Sequence, residues 1–355
     1  MGRKVAVVLF NLGGPDSKGS IRPFLMNFFM DKNIIGAPWP IRYLLARRIS
    51  SARSKREAGD SYGFLGDKSP LLDNTQVQAH ALEEVLRRDA QGDDYKVFIS
   101  MRYWHPMAAQ VVQEVKDWGA EKIVLLPLYP QFSTTTSWSS LENWRMAAEK
   151  AGVNIDTSMV CCYPKADGFV QASAAHIVAA YKQAMADGHE NPRVLFSAHG
   201  LPEKIVKGGD PYQWQCEQSA AVIADGVVKA LGRERIDWMI CYQSRVGPLK
   251  WIGPSTEEAL LQAAKDKVPV VLYPHAFTQE HVETLVELDI EYKHLAEAQG
   301  IAGYYRAQTV GVADAFIADL ARMAKEASVR GGIEADGGRR ICPEQFGRCC
   351  MRAAG

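Results

Sequence analysis

This chain lacks an excess of either charge, a set of cysteines large enough for a disulfide scaffold, and any internal repeat, and each absence removes a class of function. Lysine plus arginine and aspartate plus glutamate number 41 each, so no global field draws the protein onto nucleic acid, and no nucleic-acid partner is expected. The apolar stretch Val5 to Phe10 is too short to span a bilayer, and the residues before it lack a signal-peptide layout. A cytoplasmic protein is therefore expected. Seven cysteines in such a compartment are core residues, ligands or nucleophiles, and their spacing has to decide which. Neither a solenoid-length repeat nor a low-complexity tract is present. Gly13-Gly14-Pro15 lacks the G-x-G-x-x-G spacing that lets a helix start approach a pyrophosphate. No nucleotide cofactor is expected, which sets aside a nucleotide-dependent oxidoreductase. A tight strand-to-helix turn accounts for the two glycines equally well.

What is present is a chain of 355 residues, 47% hydrophobic, enough for two ordinary cores. Short runs rich in β-branched residues end in turn residues and give way to longer amphipathic stretches, the alternation of parallel strands with crossover helices. The clearest strands are Val5 to Leu9, Val97 to Ile99, Ile123 to Pro127, Val194 to Ser197, Trp238 to Cys241 and Val270 to Tyr273. The expected fold class is α/β, with parallel sheets flanked by helices in two similar halves split near Pro164 to Gly168. The divisions are placed at residues 1–165, joined by a helix near 308–328, then 166–307, then an extension over 329–355.

Ligands of open α/β sheets bind at the carboxyl ends of strands, and the residues there are rich in chemistry. They include Asn11 to Pro15, Arg102-Tyr103, Tyr129-Pro130-Gln131, Ala198-His199-Gly200, Gln243-Ser244 and His275-Ala276-Phe277. His199 follows Val194 to Ala198, where an imidazole can meet a metal or a proton, although a lone histidine is more often structural. Glu283, Glu287 and Glu291 recur every fourth residue, so on an α-helix they line one face and repel one another. A solvated acidic face is the plain account of such a row. Beside imidazoles at a cleft, the same carboxylates offer ligands to ferrous iron and acceptors for the protons it displaces.

At this point the chain resembles the ferrochelatases. Leu195-Phe-Ser-Ala-His199-Gly-Leu-Pro202, Gly209-Asp-Pro-Tyr212, Gln243-Ser-Arg-Val-Gly-Pro248 and Phe277 to Tyr292 look like that family's signatures, and further agreement extends to about residue 325. The resemblance implies two Rossmann-like domains of the chelatase fold with a porphyrin cleft between them. It implies protoporphyrin IX and Fe2+ as substrates, protohaem and two protons as products, and the last step of haem biosynthesis. His199 would be the base or metal ligand with Glu283 opposite it, and Glu287 and Glu291 would continue an acidic path for the iron. Leu12, Tyr129, Trp251 and Phe277 would be porphyrin walls, Arg102 and Tyr103 would lie near the ring or the metal route, and His281 would be a hydrogen-bonding partner. Tyr62 and Ser69, among Arg47, Arg48, Arg53, Lys55 and Arg56, would form a rim for the propionates.

Phe24, Leu25, Met26, Phe28, Phe29, Met30, Ile34, Ile35 and Trp39 make an apolar stretch that reads either as a buried helix or as the family's lip. As a lip it would give peripheral contact with the inner membrane. Oligomeric state is open, a homodimer included. The tail carries Cys342, Cys349 and Cys350, and some ferrochelatases hold a 2Fe-2S cluster with three such ligands and a fourth from the body. The animal position of that fourth ligand is Thr134 here, so Cys161 or Cys162 is the replacement, Cys161 being slightly favoured. They would point to opposite faces of a continuing strand. Zinc also accepts four thiolates. Two rival functions remain: a chelatase for another metal or tetrapyrrole, and a porphyrin or haem carrier, which needs no carboxylate row opposite a histidine.

Overall fold

Seven of the eight residues of the first strand, Lys4–Asn11, are buried, with no alternation between faces. A strand without a polar face belongs to a parallel sheet covered by helices on both sides. A computed structural model bears this out; it describes residues 2–88, 92–245 and 249–351, the side chains at 56 and 58–60 excepted, and residues 246–248 of one signature lie outside it. Its strands are β1 (Lys4–Asn11), β2 (Asp94–Met101), β3 (Lys122–Pro127), β4 (Asp156–Cys162), β5 (Arg193–His199), β6 (Trp238–Gln243), β7 (Val270–Pro274), β8 (Tyr304–Arg306) and β9 (Ile333–Ala335). They form a five-stranded sheet in the order β2-β1-β3-β4-β9 and a four-stranded sheet in the order β6-β5-β7-β8. Every pairing within them is parallel.

The six strand runs expected from sequence all fall inside observed strands. The chain divides into two units, residues 2–162 with 320–340 and residues 163–319 with 341–351. The division falls inside the helix Asp314–Arg330. In the second unit that helix begins against Gly168, whose backbone N–H donates to Asp319 at 2.9 Å. A Cβ at Gly168 would stand 2.0 Å from the Ala315 carbonyl oxygen, so only glycine lets the two helices approach there.

The tail does not stand apart as an extension. Ile333–Ala335 becomes β9 of the first unit, and residues 341–351 belong to the second. There Gly209, at φ +98°, accepts from the Arg348 backbone N–H at 3.1 Å, and Phe346 packs on Trp214 with ring centroids 5.8 Å apart. No helix among the described residues is long and apolar enough to cross a membrane.

Candidate functional site

In the second unit, β5 and β6 end side by side at His199 and Gln243. The Tyr212 hydroxyl donates to the His199 carbonyl oxygen at 3.0 Å and fixes the strand end. Nδ1 of His199 lies 2.7 Å from the Gly200 carbonyl oxygen, and a carbonyl only accepts, so Nδ1 carries a hydrogen. Nε2 is then left facing Glu283, 3.5 Å from Oε1, with the two side chains 35% and 29% exposed. Both are open enough for a small reactant to reach. Burial works against an imidazolium here, but the charge and hydrogen bond of Glu283, helped by the Gly200 carbonyl and Glu287, outweigh it and raise the His199 pKa to about 9.

Glu283 sits in the first turn of the short helix Val282–Leu285, whose cap is His281: Nδ1 accepts from the Glu283 N–H at 3.1 Å, and the His281 N–H donates to Thr284 Oγ1 at 2.9 Å. That use of Nδ1 requires a neutral ring, and burial lowers the His281 pKa accordingly. The Phe277 ring meets it edge to face, centroids 4.7 Å apart. Trp251 packs over Gly200, where a Cβ would come within 3.2 Å of the indole. His275 is different. It is fully buried, its Nε2 2.7 Å from Ser219 Oγ and 2.9 Å from the Cys216 carbonyl oxygen, and burial holds its pKa down to about 4. It is a neutral core histidine.

The three glutamates do not ride one regular α-helix. After Val282–Leu285 the chain makes a π turn over Glu287–Glu291 and resumes as the α-helix Tyr292–Ala298. The N–H groups of Glu291 and Tyr292 bond five residues back, to the Val286 and Glu287 carbonyls. Four residues of α-helix overshoot a full turn by about 40°, and a five-residue ring counteracts that drift. Glu287 is held by four donors: Ser244 N–H at 2.8 Å and Tyr292 hydroxyl at 2.9 Å on Oε1, Ser244 hydroxyl at 2.5 Å and Gln243 amide at 3.1 Å on Oε2. Burial and the neighbouring Glu283 charge nevertheless raise its pKa. Glu291 is exposed. Gln243 also donates to the Glu283 carbonyl oxygen at 2.8 Å, and Ser244 holds the left-handed backbone, φ +60°, that brings its N–H to Glu287. Gln243, Ser244 and Tyr292 thus hold Glu287 in place, a role the sequence did not disclose although Gln243 and Ser244 open one signature and Tyr292 ends another.

In the first unit, Arg102 and Tyr103 follow β2. The guanidinium donates to Asp31 Oδ2 at 2.9 Å and Ser139 Oγ at 2.7 Å and lies 4.7 Å from the Tyr103 ring centroid. Tyr103 is fully buried, and its hydroxyl donates to the same Asp31 oxygen at 2.8 Å, as does that of Ser139. Arg102 also lines a cavity of about 370 Å³ with Met30, Met107, Met146 and Lys150. Asp31 was invisible in the sequence because it interrupts an apolar stretch, and its partners lie 71, 72 and 108 residues away. Leu12 and Tyr129 are half-buried, and burial pushes the Tyr129 phenol up. Tyr62 and Ser69 are buried, Ser69 being packed on Gly14 and accepting from the Leu71 N–H at 3.3 Å. Arg47, Arg48 and Lys55 are exposed, Arg53 pairs with Glu57 at 2.6 Å, and the Arg56 side chain lies outside the described residues.

Within the apolar stretch, Phe24, Leu25 and Phe29 are buried and its last residue, Trp39, is exposed, followed by Ile41, Leu44 and Leu45 on the same helix, Trp39–Asp60. The cysteines expected as ligands are all buried: Cys161, Cys162, Cys342, Cys349 and Cys350. The two in β4 do not alternate as a regular strand would require. A register shift against β9 between Val160 and Cys162 makes Cys161 a bulged residue, and the adjacent sulfurs lie 3.8 Å apart. Cys342 Sγ accepts from the Gln215 amide at 3.1 Å. Among the described residues, no group of three or more His, Cys, Asp or Glu side chains is assembled to hold a metal ion.

The ferrochelatase family profile matches residues 4–328. Ferrochelatases of Hyphomonas neptunium and Phenylobacterium zucineum are 46% and 47% identical, covering 98% and 99% of this chain and 95% and 99% of their own. One from a Wolbachia of Drosophila simulans is 49% identical over 90% of this chain and 98% of its own. Among solved structures, SirB from Bacillus subtilis with Fe3+ superposes with a TM-score of 0.51 over 92% of this chain and 96% of its own; at 14% identity this shows the chelatase fold alone. Fold, strand-end chemistry and near full-length identity agree: the chain belongs to the ferrochelatase family, metal chelatases of the lyase class that insert iron into protoporphyrin in haem biosynthesis.

Proposed function

We propose that this chain inserts Fe2+ into protoporphyrin IX with His199 and Glu283 as the reacting pair. The observation that carries this is His199 Nε2 standing 3.5 Å from Glu283 Oε1, both partly exposed at the carboxyl end of a parallel sheet. Metal insertion removes two pyrrole protons and exchanges the waters on iron for ring nitrogens. Held as the imidazolium by Glu283, His199 has to release a proton before it accepts one from a pyrrole. Glu283 supplies the charge that makes the pair a landing point for iron, and Glu287, with its raised pKa, is an acceptor for protons leaving along the wide turn. Leu12, Tyr129, Arg102 and Tyr103 on one unit and Trp251, Phe277 and His281 on the other are assigned to the porphyrin, with Tyr62 and Ser69 toward its propionates.

The test is insertion of ferrous iron or zinc into protoporphyrin IX, followed by the shift of the Soret band, with His199→Ala and Glu283→Gln beside the wild type. Both variants should bind porphyrin and lose turnover. A wild type that binds porphyrin without inserting metal would make the protein a carrier.

Two finer assignments accompany this reading. Trp39, Ile41, Leu44 and Leu45, flanked by Arg47 and Arg48, form a peripheral contact with an anionic membrane, reached from the cytoplasm. Cys342, Cys349 and Cys350, with Cys161 or Cys162, are the thiolates for a 2Fe-2S cluster. Their burial and the amide N–H donated to Cys342 suit that role. Bound there, the cluster would supply a four-thiolate cross-link and a redox centre.

A further inference from the structure

The π turn Glu287–Glu291 leaves backbone and side-chain groups that a regular helix would have used. In an α-helix the Leu288 carbonyl would accept from the Tyr292 N–H, but that N–H goes to Glu287 instead. The Leu288 carbonyl accepts from the Tyr304 hydroxyl at 2.7 Å. Tyr304 opens β8, the three-residue edge strand of the four-stranded sheet. Arg306 closes it, and its guanidinium does two things at once. Nε and Nη2 grip Asp289 of the π turn, at 2.7 and 2.9 Å, in the parallel geometry that only arginine offers a carboxylate. Nη1 reaches Glu280 at 2.6 Å, just before the His281 cap. The same Glu280 oxygen accepts from the Thr309 N–H at 2.9 Å. The Arg306, Glu280 and Asp289 side chains are 15%, 22% and 31% exposed, so little solvent competes with these bonds.

We infer that Tyr304 and Arg306 are positioning residues for metal insertion: β8 holds both ends of the segment Glu280–Asp289 and thereby fixes Glu283 opposite His199. They touch neither member of the pair. Their effect passes through the segment itself, because Glu283 lies three residues after one anchored position and six before the other. A one-residue relaxation of the π turn toward α-helix would rotate Glu287 out of the four bonds from Gln243, Ser244 and Tyr292, and would free the stretch that carries Glu283. This rests on the assignment of His199 and Glu283 as the reacting pair.

The experiment compares Arg306→Gln, Asp289→Asn and Tyr304→Phe with Arg193→Gln. Arg193 clamps Asp237 and Asp266, at 2.8 and 2.7 Å, at the opposite, amino end of the same sheet. For each variant, kcat and KM for iron insertion, porphyrin Kd by fluorescence quenching, and Tm are measured, with His199→Ala and Glu283→Gln in the same assay. The Arg306 and Asp289 variants should lose about 10- to 100-fold in kcat. Their porphyrin Kd should stay within about twofold of wild type. Tyr304→Phe should lose less, and Arg193→Gln should lower Tm comparably with kcat unchanged. The inference is overturned if the Arg306 and Asp289 variants, assayed while folded, keep wild-type kcat, or if Arg193→Gln loses as much as they do. If His199→Ala and Glu283→Gln turn over normally, the pair assignment fails first and the brace has nothing to position.

Discussion

His199 is governed by one neighbour. Burial alone would depress an imidazole, so the rise to about 9 is owed chiefly to Glu283. In Glu283→Gln, the His199 titration followed by NMR should fall below its ordinary 6.5, since burial then acts with far less opposition. In the wild type, kcat/KM should climb between pH 7 and 9 as the free enzyme loses the imidazolium proton. A profile flat across that range would remove His199 as the base. The same shift has a stability side: the folded chain keeps this proton up to about 9 and the unfolded chain only to about 6.5, so the contribution is full below 6.5 and lost toward 9. His275 has the opposite sign. Its unfolded form takes a proton near 6.5 and its folded form only near 4, so stability falls as pH drops through that window. That displacement amounts to about 3 kcal/mol. Urea unfolding at pH 7 and 4.5 should show His275→Gln losing less on acidification than the wild type.

Elements differ in how far the sequence disclosed them. Long runs such as Val5 to Leu9 were legible because a doubly covered strand needs unbroken apolar residues, and His199 was legible because it ends such a run. Three-residue strands carry no period to read, so β8 and β9 appeared only in the structure. The glutamates showed a spacing of four that an α-helix explains, and nothing in it announced that one turn would bond five residues back. The Asp31 cluster was hidden for another reason: a salt bridge assembled from three separate segments leaves no local pattern. The helix Trp39–Asp60 shows the reverse, since its exposed Ile41, Leu44 and Leu45 lie past the stretch that composition singled out, whose last residue, Trp39, shares their exposure. Removing Trp39 and Leu44 together, as the Trp39→Ser, Leu44→Ser double variant, should weaken flotation with anionic vesicles by about tenfold while leaving insertion into detergent-dispersed porphyrin unchanged. Equal flotation of both proteins would return that face to ordinary surface.

At the scale of the whole molecule, the tail is the part whose chemistry is most exposed to test. Its cysteines are buried and its backbone at Arg348 is docked on Gly209, so residues 341–351 are part of the folded second unit. Purified protein should carry about two irons and two sulfides per chain with visible charge-transfer absorption, as four-thiolate two-iron clusters do. Cys342→Ser should abolish both signals. Iron-free protein that stays colourless after anaerobic reconstitution would overturn the cluster. The end of the chain has one more consequence, through β9. This strand completes the first sheet beside β4, although 172 residues of chain, including the whole second sheet, are made between Cys162 and Ala335. At ribosomal speeds of about 5–20 residues per second, that is an interval of roughly 10–35 s. Throughout it the nascent protein carries β4 as an unpaired border bearing two adjacent thiols, and whatever shields that border during translation decides how much of the newly made chain matures.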